Sequence, residues 1–415
     1  RKNGSALSPT FSIRRGGVMK QSVPQKYDLK QEENAGHGRI RMFLGNVLHH
    51  VDFLQIIPML ILLAIGACFI YGVGQQVGGF AAATFWKRHL FYMGIGLTLW
   101  LVLSFVDYRW FGPASAVLYP LSVLLLVLVL IPGIGTKYFG ARSWLEFGPV
   151  NFQPAEIAKL AVVLACAWIL SMKGADVNRI LWMLPVLMIA ALPFVLIKMQ
   201  PDLGSALLLL PIVGFTAFAA RLKWRYLIIL GVLALVVLPT AYFSLKDYQK
   251  DRIMVFLDPE RDPQNRGWNQ IQAEIAIGSG GLAGKGFMQS TQNPMGYLPQ
   301  TVSNSDFIFP VIAEETGFLG SLLVVLMYML LLFSILRTAL LAADDFGRYL
   351  CVGIATVIFF HSVINIGMCI RLTPVTGLPL PLISYGGTFL VAVLVYLGIA
   401  HSIYVHREKN SIMEL

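Results

Sequence analysis

The chain has 415 residues, of which 56% are hydrophobic and only 13% are charged, with a formal net charge of +10. A soluble domain has roughly 45–50% apolar and roughly 25% charged residues, so this chain has too little charge to cover a water-soluble globule. The composition excludes an ordinary soluble protein and predicts an all-α, polytopic integral membrane protein. Much of the Lys and Arg flanks apolar segments, which membrane topology explains, and no nucleic-acid partner is expected.

Residues 1–50 are polar and basic, with few large apolar side chains. This composition predicts a disordered tail. Ten apolar segments follow, each close to the roughly 20 residues that a helix needs to cross a bilayer. They lie at about 53–71, 89–106, 114–132, 155–172, 180–197, 203–220, 225–243, 307–336, 348–370 and 384–405.

The four cysteines fall inside apolar segments, and none of them forms a C-x-x-C pair. They are Cys68, Cys166, Cys351 and Cys369. We interpret them as small buried hydrophobic residues, and the sequence predicts neither a disulfide framework nor a zinc site.

Lysine and arginine are unevenly distributed between the loops, which indicates the orientation of the helices. If the N-terminus is cytoplasmic, the cytoplasmic segments include the basic tail, the Arg221–Arg225 turn and the C-terminal tail 406–415, whereas the opposite short loops hold fewer cations. The positive-inside rule therefore predicts that both termini are cytoplasmic. It divides the chain into seven helices within 51–243, one long extracytoplasmic loop at 244–306 and three helices within 307–405.

The 244–306 loop is far longer than the other connections, and loops above about 12–15 residues are usually functional or disordered. Residues 268–277 have helical apolar spacing, which predicts an interfacial helix. The glycine-rich stretch 278–286 is not a nucleotide-binding loop, because Gly286 stands where that motif requires Ser or Thr. It predicts either a flexible or tightly turning backbone beside the membrane or a site at which Lys285 contacts a lipid phosphate.

Charged residues at the edges of apolar segments are costly in a membrane and usually face a partner or a cavity. Glu156 and Lys159 are three residues apart and share one helix face. They form either a structural ion pair or a polar face that lines a substrate cavity. Asp202 stands at the start of the sixth segment, where it either caps the helix or belongs to the same site.

Asp306 stands directly before the eighth apolar segment, at the end of the long loop. A carboxylate in this place either caps the helix or acts as a general base at the outer interface. Glu314 and Glu315 follow on the same segment, about 12–14 Å further along by helical rise.

Four segments of the chain read as recognisable motifs. They are Gln153-Pro-Ala-Glu156 with Lys159, Gln200-Pro-Asp-Leu-Gly204, Ile275-Ala-Ile-Gly-Ser-Gly-Gly-Leu-Ala-Gly-Lys-Gly286, and Asn365-Ile-Gly-Met-Cys-Ile-Arg-Leu-Thr-Pro-Val-Thr-Gly-Leu-Pro-Leu-Pro-Leu-Ile-Ser-Tyr-Gly-Gly-Thr388. Together they closely resemble the signatures of the SEDS family, whose members include RodA, FtsW and SpoVE. The resemblance extends over about residues 50–405. The sequence of the glycine-rich motif 275–286 is closer to the elongation member RodA than to the division member FtsW.

The resemblance implies a ten-helix peptidoglycan glycosyltransferase in the bacterial cytoplasmic membrane. It implies lipid II as substrate, a class B penicillin-binding protein (a transpeptidase) as partner, and other membrane proteins of the elongation complex. The essential acidic residue of the family maps onto Asp306. The chain departs from the family pattern here, because relatives read Glu-x-His-Thr-Asp-Phe after a Pro, whereas Pro299 leads into Gln-Thr-Val-Ser-Asn-Ser-Asp306 without a His. Phe389 stands where the family has a small residue.

The expected reaction places negative charge on a leaving pyrophosphate, so cations are expected near Asp306. The outward candidates are Arg142, Arg252, Lys285 and Arg371. No motif requires a cofactor, and the expected reaction is compatible with a divalent cation such as magnesium.

Two other functions remain open from the residues. A lipid II flippase or transporter is favoured by intramembrane charges such as Glu156, Lys159 and Glu315. It is disfavoured because the sequence shows no inverted repeat of the kind that many transporters carry. A non-catalytic scaffold that activates a partner synthase is the third alternative.

Overall fold

The computed structural model describes residues 51–77, 82–138, 141–147, 150–226, 266–292, 294–297 and 303–407, with isolated short pieces at 228–229, 232, 250, 254–256 and 258. The predicted tail 1–50, most of the predicted seventh span 225–243, and Arg252 lie outside the described residues.

The described part of the chain contains ten named α-helices and one small antiparallel sheet. They are α1 (Phe53–Val77), α2 (Ala82–Phe105), α3 (Phe111–Leu130), β1 (Gly135–Tyr138), β2 (Ala141–Phe147), β3 (Val150–Phe152), α4 (Pro154–Ser171), α5 (Ile180–Met199), α6 (Leu203–Ala219), α7 (Arg266–Ser279), α8 (Ile308–Leu341), α9 (Asp345–Cys369) and α10 (Gly387–Val405).

Within the described residues, eight helices are long and apolar enough to cross a membrane. They are α1 to α5 and α8 to α10, while α6 is apolar but shorter. The prediction of a polytopic, helical membrane protein is therefore confirmed. Helix α7 covers the segment 268–277, for which a helix is predicted inside the long loop.

The starts of the helices follow from local sequence. Helix α4 begins with Pro154, whose fixed φ suits the first helical position. Helix α9 is capped by Asp344, whose carboxylate accepts a hydrogen bond of 2.8 Å from the Gly347 N–H.

Helices α4, α9 and α10 form the inside of the bundle, since most residues in their apolar segments are buried. In α2, α3 and α5 most residues are not buried, as expected of helices that face lipid. Helix α10 packs on α2, α4 packs on α3, and α9 packs on α8. The motifs on α4 and α9 are therefore held at the centre of the protein.

The sheet joins α3 to α4, with strand order β1-β2-β3 and antiparallel pairing throughout. It is an addition to the all-α class that the sequence analysis does not predict. The alternation in β2 is its signal, because Ser143 and Leu145 are buried, whereas Arg142 and Trp144 are partly exposed and Glu146 is exposed. A period of two residues is typical of a strand.

Helix α8 is interrupted at Gly317, where φ is 68° and ψ is −161°. The glycine-rich stretch packs its backbone against this interruption. The Lys285 N–H donates to the Glu314 carbonyl at 3.0 Å, and the Phe318 N–H donates to the Gly281 carbonyl at 2.9 Å. The long loop is thereby attached to the first turns of α8.

Gly284 lies where the two backbones come closest. Its φ is 78°, and a Cβ atom at this position would lie 2.2 Å from the Glu315 carbonyl oxygen. Only glycine fits both the conformation and the space. The tightly turning backbone predicted for this stretch is therefore observed.

Candidate functional site

Asp306 lies in the turn that leads into α8 and is half-buried. The N-cap position of α8 is occupied by Phe307, which makes no side-chain capping bond. Asp306 therefore precedes the capping position. Its carboxylate is next to Gly377, since a Cβ atom on that glycine would lie 3.4 Å from Asp306 Oδ2.

The turn that carries Asp306 is held through three consecutive backbone carbonyls. The Asn304 carbonyl accepts a hydrogen bond of 2.8 Å from the Tyr385 N–H. The Ser305 carbonyl accepts one from the Ser384 hydroxyl. The Asp306 carbonyl accepts one of 3.0 Å from Asn365 Nδ2. All three donors come from the motif 365–388, so this motif fixes the position of the turn.

The proline-rich part of that motif needs side-chain donors for its own carbonyls. Prolines lack an N–H group and prevent a regular backbone ladder, so the carbonyls require other partners when buried. Asn365 Nδ2 donates to the Leu378 carbonyl at 2.8 Å. The Tyr328 hydroxyl donates to the Pro381 carbonyl. Helices α8 and α9 together hold this segment opposite Asp306.

Glu156 and Lys159 form an ion pair of 2.9 Å inside the bundle, with side chains only 2% and 0% exposed. Lys159 Nζ also lies 2.9 Å from Nε2 of His361 on α9. An ammonium group has no acceptor, so Nε2 accepts and His361 Nδ1–H donates to the Pro379 carbonyl at 3.2 Å. The pair is thus linked by contacts to the proline-rich segment.

Two polar atoms in this part of the bundle are buried without a hydrogen-bond partner among the described residues. They are Glu156 Oε2 and the Tyr396 hydroxyl oxygen. Lys159 Nζ also lies 5.8 Å from the centre of the Phe389 ring. The role of Glu156 and Lys159 in lining a substrate cavity stays a prediction.

Asp202 is the N-cap of α6, with its carboxylate accepting a hydrogen bond of 3.0 Å from the Ser205 N–H. Asp202 therefore caps this helix, and its membership of the site stays a prediction. The same carboxylate accepts a bond of 3.3 Å from Gln153 Nε2, and the Thr388 hydroxyl donates to the Asn151 carbonyl at 2.8 Å. Three of the sequence motifs consequently meet at the start of α4.

Lys285 forms an ion pair of 2.6 Å with Glu314, whose carboxylate is fully buried. Glu314 Oε1 also accepts from the Thr291 N–H and hydroxyl, at 2.9 Å each, and Oε2 accepts from Ser290. Glu315 accepts from the Met288 N–H at 2.9 Å. Both glutamates hold the long loop against α8, while the 28% exposed Lys285 side chain still reaches the surface.

Of the remaining predicted cations, Arg371 pairs with Glu274 of α7 at 3.2 Å, with both side chains partly exposed. Arg142 is half-buried on β2, and its Nη1 lies 3.4 Å from the Leu130 carbonyl. Lys285 and Arg371 are therefore each paired with a carboxylate.

In the part of the chain that the structure describes, no group of three or more His, Cys, Asp or Glu side chains could hold a metal ion.

Sequence reasoning missed His361 and the role of Asn365. Both lie on α9, four residues apart on one face, and both donate to the proline-rich segment that follows the helix. Polar residues in an apolar helix just before a proline-rich segment are the signal that points to them.

These features define an α-helical, multi-pass membrane protein with a carboxylate on a backbone-anchored turn at the entrance of one span and a buried ion pair inside the bundle. The chain belongs to the FtsW/RodA/SpoVE family, because the family model described as "Cell cycle protein" matches residues 52–409. The family predicted from the motifs is therefore confirmed.

Several relatives support the assignment. The peptidoglycan glycosyltransferase MrdB of Escherichia coli K12 is 37% identical over 371 residues, which are 87% of this chain and 95% of that protein. The stage V sporulation protein E of Bacillus subtilis is 36% identical, over 84% of this chain and 95% of that protein.

Solved structures share the fold. A chain from a peptidoglycan synthase complex that coordinates polymerisation and crosslinking matches with a TM-score of 0.74 and 32% identity, over 86% of this chain and 99% of that chain. The rod shape determining protein RodA of Thermus thermophilus matches with a TM-score of 0.62 and 30% identity, over 86% and 97%.

Proposed function

We propose that this protein is a peptidoglycan glycosyltransferase that polymerises lipid II into glycan strands, in the service of cell elongation and shape. The family and the names of the relatives support the enzyme class. The observation that carries the proposal is the placement of Asp306, whose turn is fixed through three consecutive carbonyls while its carboxylate faces the family motif.

The reaction joins one lipid-linked saccharide to another. A sugar hydroxyl oxygen bonds to the anomeric carbon of the donor, and the bond from that carbon to the pyrophosphate oxygen breaks. The electron pair leaves with the lipid pyrophosphate, and the Asp306 carboxylate accepts the hydroxyl proton. A base held in place through its backbone has little to reorganise during this step.

The leaving pyrophosphate gathers negative charge, which cations stabilise. Arg142, Lys285 and Arg371 are the described candidates, together with Arg252 outside the described residues. Lys285 and Arg371 are paired with Glu314 and Glu274. When the pyrophosphate binds, each cation would either leave its carboxylate or contact both the carboxylate and the pyrophosphate. Glu156, Lys159 and Asp202 are proposed to shape the polar interior next to the proline-rich segment.

The site is proposed to open to the outer face of the bacterial cytoplasmic membrane, with both termini cytoplasmic. The asymmetry of Lys and Arg between the loops supports this orientation. A class B penicillin-binding protein is the proposed partner, supported by a structural relative that belongs to a peptidoglycan synthase complex. Other membrane proteins of the elongation complex are proposed as further partners.

The flippase alternative rests on intramembrane charges. In the structure, Glu156 and Lys159 neutralise each other, and Glu315 accepts hydrogen bonds from Gln76 and Met288. These contacts accommodate the charges inside the bundle without a transport pathway. They therefore disfavour the flippase alternative.

The decisive experiment supplies purified protein with lipid II, alone and with its partner transpeptidase, and separates glycan chains by gel electrophoresis. We expect polymer in at least the second case. If polymer is absent in both while the protein moves lipid II across vesicle membranes, the flippase replaces the proposed function. Polymer that also requires a catalytically intact second polymerase would favour the scaffold.

A further inference from the structure

Asn365 joins the two backbone segments that flank the Asp306 carboxylate. Its side chain is fully buried. The single Nδ2 group donates to the Asp306 carbonyl at 3.0 Å and to the Leu378 carbonyl at 2.8 Å. Leu378 follows Gly377 directly, and Gly377 is the residue that lies next to Asp306 Oδ2.

The geometry of an amide makes this bridge stiff. The two N–H bonds of a planar –NH₂ group have fixed directions, so one amide sets the distance between the two carbonyls. Asn365 Oδ1 is buried and has no hydrogen-bond partner among the described residues. A buried acceptor without a partner is unfavourable, whereas the Nδ2 group donates to both carbonyls of the bridge.

We propose that Asn365 is a positioning residue for Asp306, which sets the distance between that carboxylate and the backbone at 377–378. The inference rests on the proposed function of Asp306 as the base. The attacking hydroxyl must lie within hydrogen-bond reach of the base, and a shift of about 1 Å can cost on the order of 10²-fold in rate. Asn365 acts on the chemical step rather than on substrate affinity.

The test uses Asn365→Asp, which keeps the shape and replaces the donor by an acceptor that faces two carbonyl oxygens. In the purified protein with its partner, we expect kcat to fall by at least about ten-fold, with KM for lipid II changed by no more than roughly two-fold. Asn365→Ala is the second variant and introduces no charge. If either folded variant keeps the parental kcat, the proposal is wrong.

A second readout does not depend on activity. Cys369 is buried, and its Sγ lies 4.0 Å from the Asp306 carbonyl. In a Cys68→Ser background, which removes the exposed cysteine, a small thiol reagent should label Cys369 faster in the Asn365 variants than in the parent. Cys166 and Cys351 should remain unlabelled. Unchanged labelling of Cys369 would contradict a role of Asn365 in holding the turn.

Two control variants separate positioning from general stability. Ser362→Ala removes a buried hydrogen bond within α9, to the Ile358 carbonyl, and should change neither kcat nor the labelling of Cys369. Tyr328→Phe removes the donor to Pro381 and should lower the thermal midpoint with a smaller effect on kcat. Equal losses of kcat in Tyr328→Phe and Asn365→Asp at equal loss of stability would reduce Asn365 to a structural residue.

The two readouts also distinguish this inference from the proposed function. If Asp306→Asn remains fully active, Asp306 is not the base. The fall in kcat expected for the Asn365 variants then has no physical reason. Faster labelling of Cys369 in that case would still show that Asn365 holds the turn, but the positioning role in catalysis would be refuted.

Discussion

Lys159 on α4 and His361 on α9 are in hydrogen-bond contact, with 2.9 Å between Nζ and Nε2, in the interior of the bundle. The contact lies between the Glu156 carboxylate on one side and the Pro379 carbonyl on the other. It connects a buried charge to the backbone that faces Asp306, across two helices that are far apart in sequence.

Removal of one member of the buried Glu156–Lys159 ion pair should lower the stability of the folded protein. Lys159→Met leaves the Glu156 carboxylate without its counter-charge, and breaking a buried pair in this way costs about 3–5 kcal/mol. We expect a marked fall in folded protein, measured by fluorescence-detected size-exclusion chromatography of solubilised membranes.

The double variant Glu156→Gln with Lys159→Met is the matched control, because it leaves no uncompensated charge. It should recover much of the lost abundance. If the single and double variants fold equally poorly, the cost does not come from an unpaired charge. Polymerisation by the double variant distinguishes the two roles, since full activity would make the pair structural only.

Much of the fold could be predicted from apolar run length. The spans predicted at 155–172 and 180–197 are observed as Pro154–Ser171 and Ile180–Met199. A run of about 20 apolar residues is long enough for a helix that crosses the bilayer. The small sheet is not predicted from run length, because its strands are short and lie between two apolar segments. The interruption of α8 at Gly317 is not predicted either, since it depends on contact with a segment about 35 residues earlier.

The candidate site was predicted in part. Asp306, Glu156 and Lys159 stand out from sequence because charge is rare in apolar segments. Their partners have a weaker sequence signal, as polar residues in an apolar helix. The contacts of His361 and Asn365 follow only from the fold, which brings α9 against the proline-rich segment and the turn before α8. The pairing of Lys285 with Glu314 is likewise a tertiary contact, with no signature in local spacing.

The glycine-rich stretch offers a test of backbone packing. Gly284→Ala would place Cβ 2.2 Å from the Glu315 carbonyl oxygen at a φ of 78°, so we expect a strong loss of thermal stability. Gly278→Ala is the matched control in the same stretch, since it lies in α7 with open space around it. Alanine favours a helix over glycine by up to about 1 kcal/mol, so this variant should be neutral or slightly more stable. Equal thermal midpoints for the two variants would argue against the observed contact.

The orientation in the membrane can be tested with single cysteines in a Cys68→Ser background. Met295 lies in the long loop and is 65% exposed, and Lys173 is exposed in the turn after α4. A membrane-impermeant thiol reagent applied to intact cells should label Met295→Cys, whereas Lys173→Cys should react only after lysis. The reverse pattern would place the long loop in the cytoplasm, and the proposed outer active site with it.

Asp306→Asn tests the proposed base. The observed N-cap of α8 is Phe307, so loss of the Asp306 carboxylate does not remove a cap. The three backbone anchors of the turn do not involve the carboxylate, and the variant should therefore fold and insert normally. An amide is not basic at neutral pH, so the hydroxyl proton loses its acceptor. We expect polymerisation of lipid II to fall by about 10²-fold or more, the scale of positioned acid–base catalysis, with unchanged abundance and thermal midpoint.

Full activity per folded molecule would remove Asp306 from the mechanism. The next carboxylates, Glu314 and Glu315, would then be tested by the same substitution, although both already hold the long loop through hydrogen bonds.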